Sequence, residues 1–247
     1  MRNVRSTSLG PAWLIRRQSY PVAESCTVWD MRALMCGVLA ALLGVAASAS
    51  AATLDDVVRD LEAVYGRMTD LKADFTQSAF NKSLNQTIPA QGTVYLKKGG
   101  KLRWEYSDPT PQEIVSDGAT LWVYTRTLNQ VNTGPAPEAL AGPAGSFLAG
   151  LGKVREQFEV RLLNPAQPKD ADGNYVLDLR PRQPLPTMAR LVLAIDPQQF
   201  LVRKAVVYDQ FENTVSMKFT KIAVNSGLSD KLFTFVPPKG AATVPLR

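Results

Sequence analysis

The side chains that most often carry enzyme chemistry are scarce in this sequence of 247 residues. Histidine is absent, which excludes catalytic triads with a histidine base and metal sites with imidazole ligands. The sequence also has no G-x-S-x-G, P-loop or C-x-x-C motif. Nucleophilic, phosphate-binding and dithiol chemistry of the common kinds are therefore not indicated.

Carboxylates are the remaining candidates, because two acids flanking a substrate can hydrolyse a glycoside. Glu105 alternates with Trp104 in a strand-like run, and Asp117 precedes a glycine in a predicted turn, so both positions favour structural roles. Asp170 and Asp172 come closest to a metal-ligand cluster, but they lie in a predicted loop. We therefore expect a binding protein without cofactor or metal, with a secreted carboxylate-dependent hydrolase as the alternative.

The N-terminal region has the pattern of a secretory signal peptide. Met31 and Arg32 begin it, an apolar run follows over 33–47, and small residues end it with an A-x-A site that predicts cleavage after Ala51, with cleavage after Ala49 as the alternative. We interpret residues 1–51 as an upstream extension plus this leader, with a retained N-terminal anchor as the alternative. Cleavage removes both cysteines, Cys26 and Cys36. The mature chain, 52–247, is predicted to be a single exported domain without thiols.

The charge gives no support for a nucleic-acid partner. The whole chain has 28 basic and 22 acidic residues, a net charge of +6. The leader contains more basic than acidic residues, so the mature chain is less positive, and its basic residues are dispersed.

An amphipathic helix is predicted at the start of the mature chain. Thr53 followed by Asp56 resembles a capping box. Apolar residues recur at spacings of three and four and form one stripe, which consists of Leu54, Val57, Val58, Leu61, Val64, Tyr65 and Met68.

The remainder of the chain is predicted to be antiparallel sheet, because the period of its apolar residues changes to two. Gly99 and Gly100 separate two alternating runs, which indicates a hairpin. About eleven strands are expected, in the runs 71–76, 92–98, 101–106, 112–115, 120–125, 128–132, 157–163, 174–180, 188–196, 200–208 and 214–224.

Several strands are apolar on both faces and therefore need cover on both. In the run 120–125, for example, Leu121 and Val123 point one way while Trp122 and Tyr124 point the other. The segment 134–152 is rich in Gly, Pro and Ala and is predicted to be a loop followed by a short apolar helix, a candidate lid. A curled sheet under such a lid encloses either a cavity or a filled core, and periodicity alone leaves both open.

Several sequence elements occur together in a characteristic order. They are D-F-x-Q at 74–77, V-S-D-G-x-x-L-W at 115–122 and F-x-F-x-P-P-x-G at 233–240. With the signal peptide and the opening helix, this combination resembles the LolA family of periplasmic outer-membrane lipoprotein carriers, over essentially all of 53–240. The resemblance implies a mainly β fold with α cover (α+β), namely an incomplete, strongly curved antiparallel β-barrel closed by short helices.

The resemblance also implies a function that needs no catalysis. A soluble, monomeric periplasmic carrier of this kind takes acylated lipoproteins from the inner-membrane transporter LolCDE to the outer-membrane receptor LolB, without stable membrane insertion. A module of the same fold that senses lipid or lipoprotein is the alternative. By resemblance and strand face, the residues expected to line the acyl cavity and lid are Phe75, Leu102, Trp104, Leu121, Phe147, Leu148 and Leu151, and ordinary core packing is the alternative for each.

The sequence departs from the family pattern at one charged position. Where the family carries an arginine that ties the barrel to the lid, this chain has Lys98, which keeps the charge but lacks the planar guanidinium. Lys98 and Arg103 are therefore the two candidates for a lid latch, and a solvated hairpin lysine is the alternative for the first.

Overall fold

The structure is a computed structural model, and it describes residues 52–136, 153–185 and 187–246. The predicted leader, with its cleavage site, lies outside the described residues. The same holds for the three lid candidates Phe147, Leu148 and Leu151.

The described part of the chain contains two α-helices, two short 3-10 helices and twelve strands. The helices are α1 (Leu54–Arg67), α2 (Val154–Gln157), η1 (Arg126–Leu128) and η2 (Asp230–Phe233). The strands are β1 (Asp70–Asn81), β2 (Gln86–Lys97), β3 (Lys101–Asp108), β4 (Gln112–Asp117), β5 (Thr120–Thr125), β6 (Gln130–Pro135), β7 (Phe158–Leu162), β8 (Tyr175–Pro181), β9 (Arg190–Ile195), β10 (Val202–Tyr208), β11 (Thr214–Val224) and β12 (Ala242–Pro245).

All twelve strands belong to one curved, open sheet in the order β12-β6-β5-β4-β3-β2-β1-β11-β10-β9-β8-β7. Every neighbouring pair is antiparallel except β12, which runs parallel to β6. The expected fold class is therefore confirmed, and each of the eleven predicted strands is present. The additional strand is β12.

Helix α1 forms where the sequence predicts it and covers one face of the sheet. Its capping box is complete, because the Thr53 hydroxyl accepts from the Asp56 amide (3.2 Å) and the Asp56 carboxylate accepts from the Thr53 amide (3.1 Å). Val57, Val58 and Leu61 are buried in the main hydrophobic core. Burying each of these side chains contributes about 1.5–3 kcal/mol relative to leaving it exposed. We call the sheet face under α1 the inner face.

The opposite face, which we call the outer face, is partly covered by the C-terminal segment. Phe233 is buried there, and the Phe235 ring lies 6.1 Å from Trp122 and 6.0 Å from Tyr124 between ring centroids. The two faces of β5 thus contact different partners, as its double apolar pattern predicts.

A buried carboxylate joins the start of β1 to the chain that leaves β11. Asp70 is 3% exposed and accepts hydrogen bonds from the Ser226 amide (2.8 Å) and hydroxyl (2.9 Å), and from the Gly227 amide (3.1 Å). Burial opposes ionisation, but the hydrogen bonds outweigh it and hold the pKa of Asp70 below its ordinary value. The ionised carboxylate therefore stabilises this junction at neutral pH.

Candidate functional site

A partly open cavity of about 370 Å³ lies on the inner face, between the central strands and the connection from β8 to β9. Strands β1, β3, β10 and β11 supply most of its walls. The lining residues are Gln77, Trp104, Tyr106, Thr187, Ala205, Val207, Asp209, Asn213, Val215 and Met217. Its volume is near the lower end of the range for small-molecule sites, about 300–1,000 Å³.

An aromatic cluster forms one wall of this cavity and continues behind it. The Phe75 ring lies 5.1 Å from the Trp104 ring and 5.1 Å from the Tyr106 ring between centroids, in tilted and edge-on arrangements that aromatic pairs favour. Gly92 makes room for the cluster, because a Cβ there would lie 1.8 Å from the Glu105 carbonyl oxygen and 3.0 Å from a Phe75 ring carbon. Because Gly92 has no side chain, β2 and β3 can approach each other closely beside the Phe75 ring.

Polar groups occupy the end of the cavity near the β10–β11 turn, and they largely satisfy one another. The Tyr106 hydroxyl donates to the Gln77 side-chain oxygen (3.1 Å), and burial raises the pKa of Tyr106 to about 12. Asp209 accepts from the amide (2.9 Å) and side-chain nitrogen (2.7 Å) of Asn213. Burial opposes the ionisation of Asp209, but these hydrogen bonds lower its pKa below the ordinary value. The site thus combines apolar walls with a polar end.

The tryptophan in the wall carries an unpaired donor. Trp104 is 4% exposed, and its Nε1 has no hydrogen-bond partner among the described residues. A buried donor without a partner destabilises a protein by about 1–3 kcal/mol.

Of the cavity residues expected from sequence, Trp104 lines the cavity directly. Phe75 packs behind it, and Leu102 and Leu121 are buried farther along the inner face, as the register from β3 through β4 to β5 shows. Their assignment to an acyl site stays a prediction.

Sequence reasoning missed most of the lining residues. Tyr106 shares the alternation of Leu102 and Trp104 and was accessible from that signal. Val215 shares the alternation of Met217 and was accessible from the same kind of signal, whereas Val207 was not, because β10 carries apolar residues on both faces. Only the strand order shows that these residues and Trp104 line one cavity.

The two candidate latch residues contact different parts of the described structure. Lys98 donates from Nζ to the Gly66 carbonyl (3.0 Å) in the last turn of α1, where the helix dipole favours a cation. Arg103 alternates with Trp104 and therefore lies on the outer face, where it pairs with Glu105 (2.5 Å) and Glu113 (2.6 Å). Contact of either residue with a lid stays a prediction, because the lid candidates lie outside the described residues.

The described residues were also compared with the requirements of a metal site and of a membrane-spanning helix. Within 52–136, 153–185 and 187–246, no three acidic or other metal-ligating side chains cluster closely enough to hold a metal ion. None of the helices described there has the length and apolar character of a membrane span.

Comparison with known proteins identifies the family. The family model described as outer membrane lipoprotein carrier protein LolA matches residues 67–236, which contain every strand from β1 to β11. The chain belongs to the LolA family. The LolA match also contains all lining residues of the cavity.

Two sequence relatives and one solved structure illustrate what this chain is similar to. An outer-membrane lipoprotein carrier protein of Chromobacterium violaceum is 32% identical over 200 residues, which is 81% of this chain and 93% of that protein. A protein of the same description from Dechloromonas aromatica is 28% identical over 174 residues, 70% of this chain and 80% of that protein. A solved structure of a LolA superfamily protein from Nitrosomonas europaea covers 75% of this chain and 99% of its own, with 15% identity and a TM-score of 0.42.

Proposed function

We propose that this chain is a periplasmic carrier that binds the acyl chains of lipoproteins in the inner-face cavity. The observation that carries the proposal is the cavity itself, with Trp104, Val207, Val215 and Met217 among its lining residues, in a chain of the LolA family. Binding of this kind makes and breaks no covalent bond and uses no cofactor. It agrees with a sequence that lacks histidine.

The composition of the cavity suits cargo that must be both held and released. Each methylene transferred from water to an apolar wall contributes about 0.8 kcal/mol, so an acyl chain is strongly favoured in the cavity over solvent. The polar end around Gln77, Asp209 and Asn213 gives a chain fewer apolar contacts than a uniformly apolar cavity. This difference leaves the bound chain able to move to a more apolar acceptor.

The finer steps of the proposal follow the family. The chain is exported with a cleaved signal peptide and acts as a monomer, receives lipoproteins from LolCDE and delivers them to LolB. Phe75, Leu102 and Leu121 extend the apolar surface around the cavity. A lid containing Phe147, Leu148 and Leu151 covers the bound chains and is latched by Lys98 or Arg103.

Displacement of a fluorescent apolar probe tests acyl binding. The purified mature protein should bind the probe and release it when an acylated peptide is added, whereas the same peptide without its acyl chain should have no effect. Saturable probe binding without competition from the acylated peptide would contradict an acyl site.

A pair of variants on one strand tests whether the probe binds in the cavity. Val215→Asp puts a charge on the wall and should abolish probe binding, because an unpaired charge in an apolar site carries a large desolvation penalty. Ser216→Asp, the adjacent position on the outer face, should bind the probe as the wild type does. Equal binding by the two variants would exclude this cavity as the site.

A further inference from the structure

The apolar wall of the cavity continues past the cavity onto the end of the β1–β2 hairpin. Strand register places Val207 beside Val215, Val215 beside Ala79, and Ala79 beside Ile88. Val207 and Val215 line the cavity, whereas Ala79 and Ile88 lie beyond its lining. Because directly paired residues project from the same face, these four side chains form one row across β10, β11, β1 and β2 on the inner face.

The two ends of this row differ in exposure. Leu191, paired with Val207 on the adjoining strand, is 1% exposed, the three residues from Val207 to Ala79 are half-buried, and Ile88 is 51% exposed. Ile88 is uncovered because β3 pairs with β2 only from Gln91 onward, so the hairpin projects beyond the end of β3. The row therefore joins a buried apolar end to an apolar end in solvent.

The projecting hairpin is held in place beside the cavity. The Lys82 amide at its tip donates to the Asn213 side-chain oxygen (2.9 Å), and the Lys82 ammonium pairs with Glu212 on the β10–β11 turn. Asn213 itself lines the cavity. These contacts keep the exposed end of the row in register with the cavity.

The length of the row matches one acyl chain. Adjacent strands lie about 4.8 Å apart, so the three steps from β10 to β2 span ~14 Å. The hydrocarbon core of a bilayer is about 30 Å thick, so the acyl chains of one leaflet span ~15 Å. The cavity has a volume of about 370 Å³, which is small for cargo with several acyl chains. Additional apolar surface outside the cavity would therefore contribute to binding.

We propose that this row, which we call the acyl track, binds one long acyl chain along its length, from the cavity wall at Val207 and Val215 out to Ala79 and Ile88 on the hairpin. The terminal methyl group lies at the buried end near Leu191, and the methylenes next to the carbonyl lie on Ala79 and Ile88, with the polar head in solvent. The proposal rests on the proposed function and adds the orientation of the chain and a residue that senses its length. An acyl chain that is long enough to reach β2 contacts Ile88, whereas a shorter acyl chain does not, so Ile88 affects the binding of long chains only.

Binding of octanoyl and palmitoyl forms of one peptide tests the track. Ile88→Asp should weaken binding of the palmitoyl peptide about tenfold, equivalent to ~1.4 kcal/mol, and leave binding of the octanoyl peptide unchanged. The matched control is Leu128→Asp, a 69% exposed leucine in η1 that lies off the row, and it should bind both peptides as the wild type does. Unchanged palmitoyl binding by Ile88→Asp, or an equal loss for both peptides, would overturn the track.

The same experiment separates the track from the function on which it rests. A wild-type protein that binds neither peptide would overturn both proposals. If the wild-type protein binds both peptides and Ile88→Asp binds the palmitoyl peptide as tightly as the wild type does, the acyl track alone would be overturned and the carrier function would stand.

Photo-crosslinking provides a second readout that does not depend on a variant. A palmitoyl peptide with its diazirine next to the carbonyl should label β2 around Ile88, and one with the diazirine at the methyl end should label β9 and β10 around Leu191 and Val207. Labelling of the cavity strands by both reagents would overturn the proposed orientation. Labelling of Ile88 on a second copy of the chain would show that the hairpin is a self-association surface and would likewise contradict the track.

Discussion

Truncation of Phe75 should destabilise the protein substantially, because its ring joins the sheet to the cavity wall. The side chain is 2% exposed, and it contacts the aromatic rings of Trp104 and Tyr106. Phe→Ala at a buried site costs about 3–5 kcal/mol through lost burial and the void that remains. For a domain of this size each kcal/mol lowers Tm by about 2–4 °C, so a loss of ~4 kcal/mol in Phe75→Ala predicts a fall of ~8–16 °C.

Thermal unfolding followed by calorimetry or circular dichroism measures this effect. The matched control is Phe211→Ala on the β10–β11 turn, where the phenylalanine is 76% exposed. Exposed positions of this kind change stability by no more than about 0.5 kcal/mol, so the control should melt within ~2 °C of the wild type. Equal Tm values for Phe75→Ala and Phe211→Ala would refute the role assigned to the aromatic cluster.

Three further substitutions test other contacts by the same melting assay. Gly92→Ala should lower the free energy of unfolding by at least about 1–3 kcal/mol, because the added Cβ overpacks against the Glu105 carbonyl. Gly66→Ala should raise the free energy of unfolding by ~0.5–1 kcal/mol, because no atom lies within 4 Å of the added Cβ. Destabilisation of similar size by both substitutions would contradict the close approach of β2 and β3. Asp70→Asn should lower Tm at neutral pH, because the ionised Asp70 carboxylate stabilises the fold. The Tm difference from the wild type should begin to shrink as the pH falls below about 3.9, the pKa of an unfolded aspartate, and should be lost only below the lowered pKa of folded Asp70; a difference independent of pH would refute this. Lys98→Ala should lower Tm by ~1–4 °C through loss of a cation worth about 0.3–1 kcal/mol at the end of α1, and an unchanged Tm would exclude that contact from the stability of the fold.

Local features of the sequence predict the elements of the fold well. The capping box at Thr53 and the apolar stripe behind it depend on residues within a few positions of one another, and α1 follows them closely. Strand alternation is equally local, which is why the eleven strands of the main sheet could be predicted. Strand β12 was missed because its four residues are all exposed and form a strand only by pairing with β6, more than a hundred residues earlier.

The site was predicted less completely than the fold, because it depends on which strands become neighbours. Alternation puts Trp104 on one face of the sheet and Arg103 on the other, but it does not indicate which face borders a cavity. That Arg103 pairs with Glu113 follows from the register of β3 with β4. That Met217 and Trp104 line one cavity follows from the position of β1 and β2 between their strands.

Mass spectrometry under native conditions tests acyl carriage most directly when the protein is isolated from its own periplasm. The account predicts that a triacylated polypeptide accompanies the wild-type protein and is absent from Val215→Asp, while Ser216→Asp retains it. Wild-type protein that carries no acylated polypeptide, or a Val215→Asp variant that carries as much as Ser216→Asp, would contradict acyl-chain binding in the inner-face cavity.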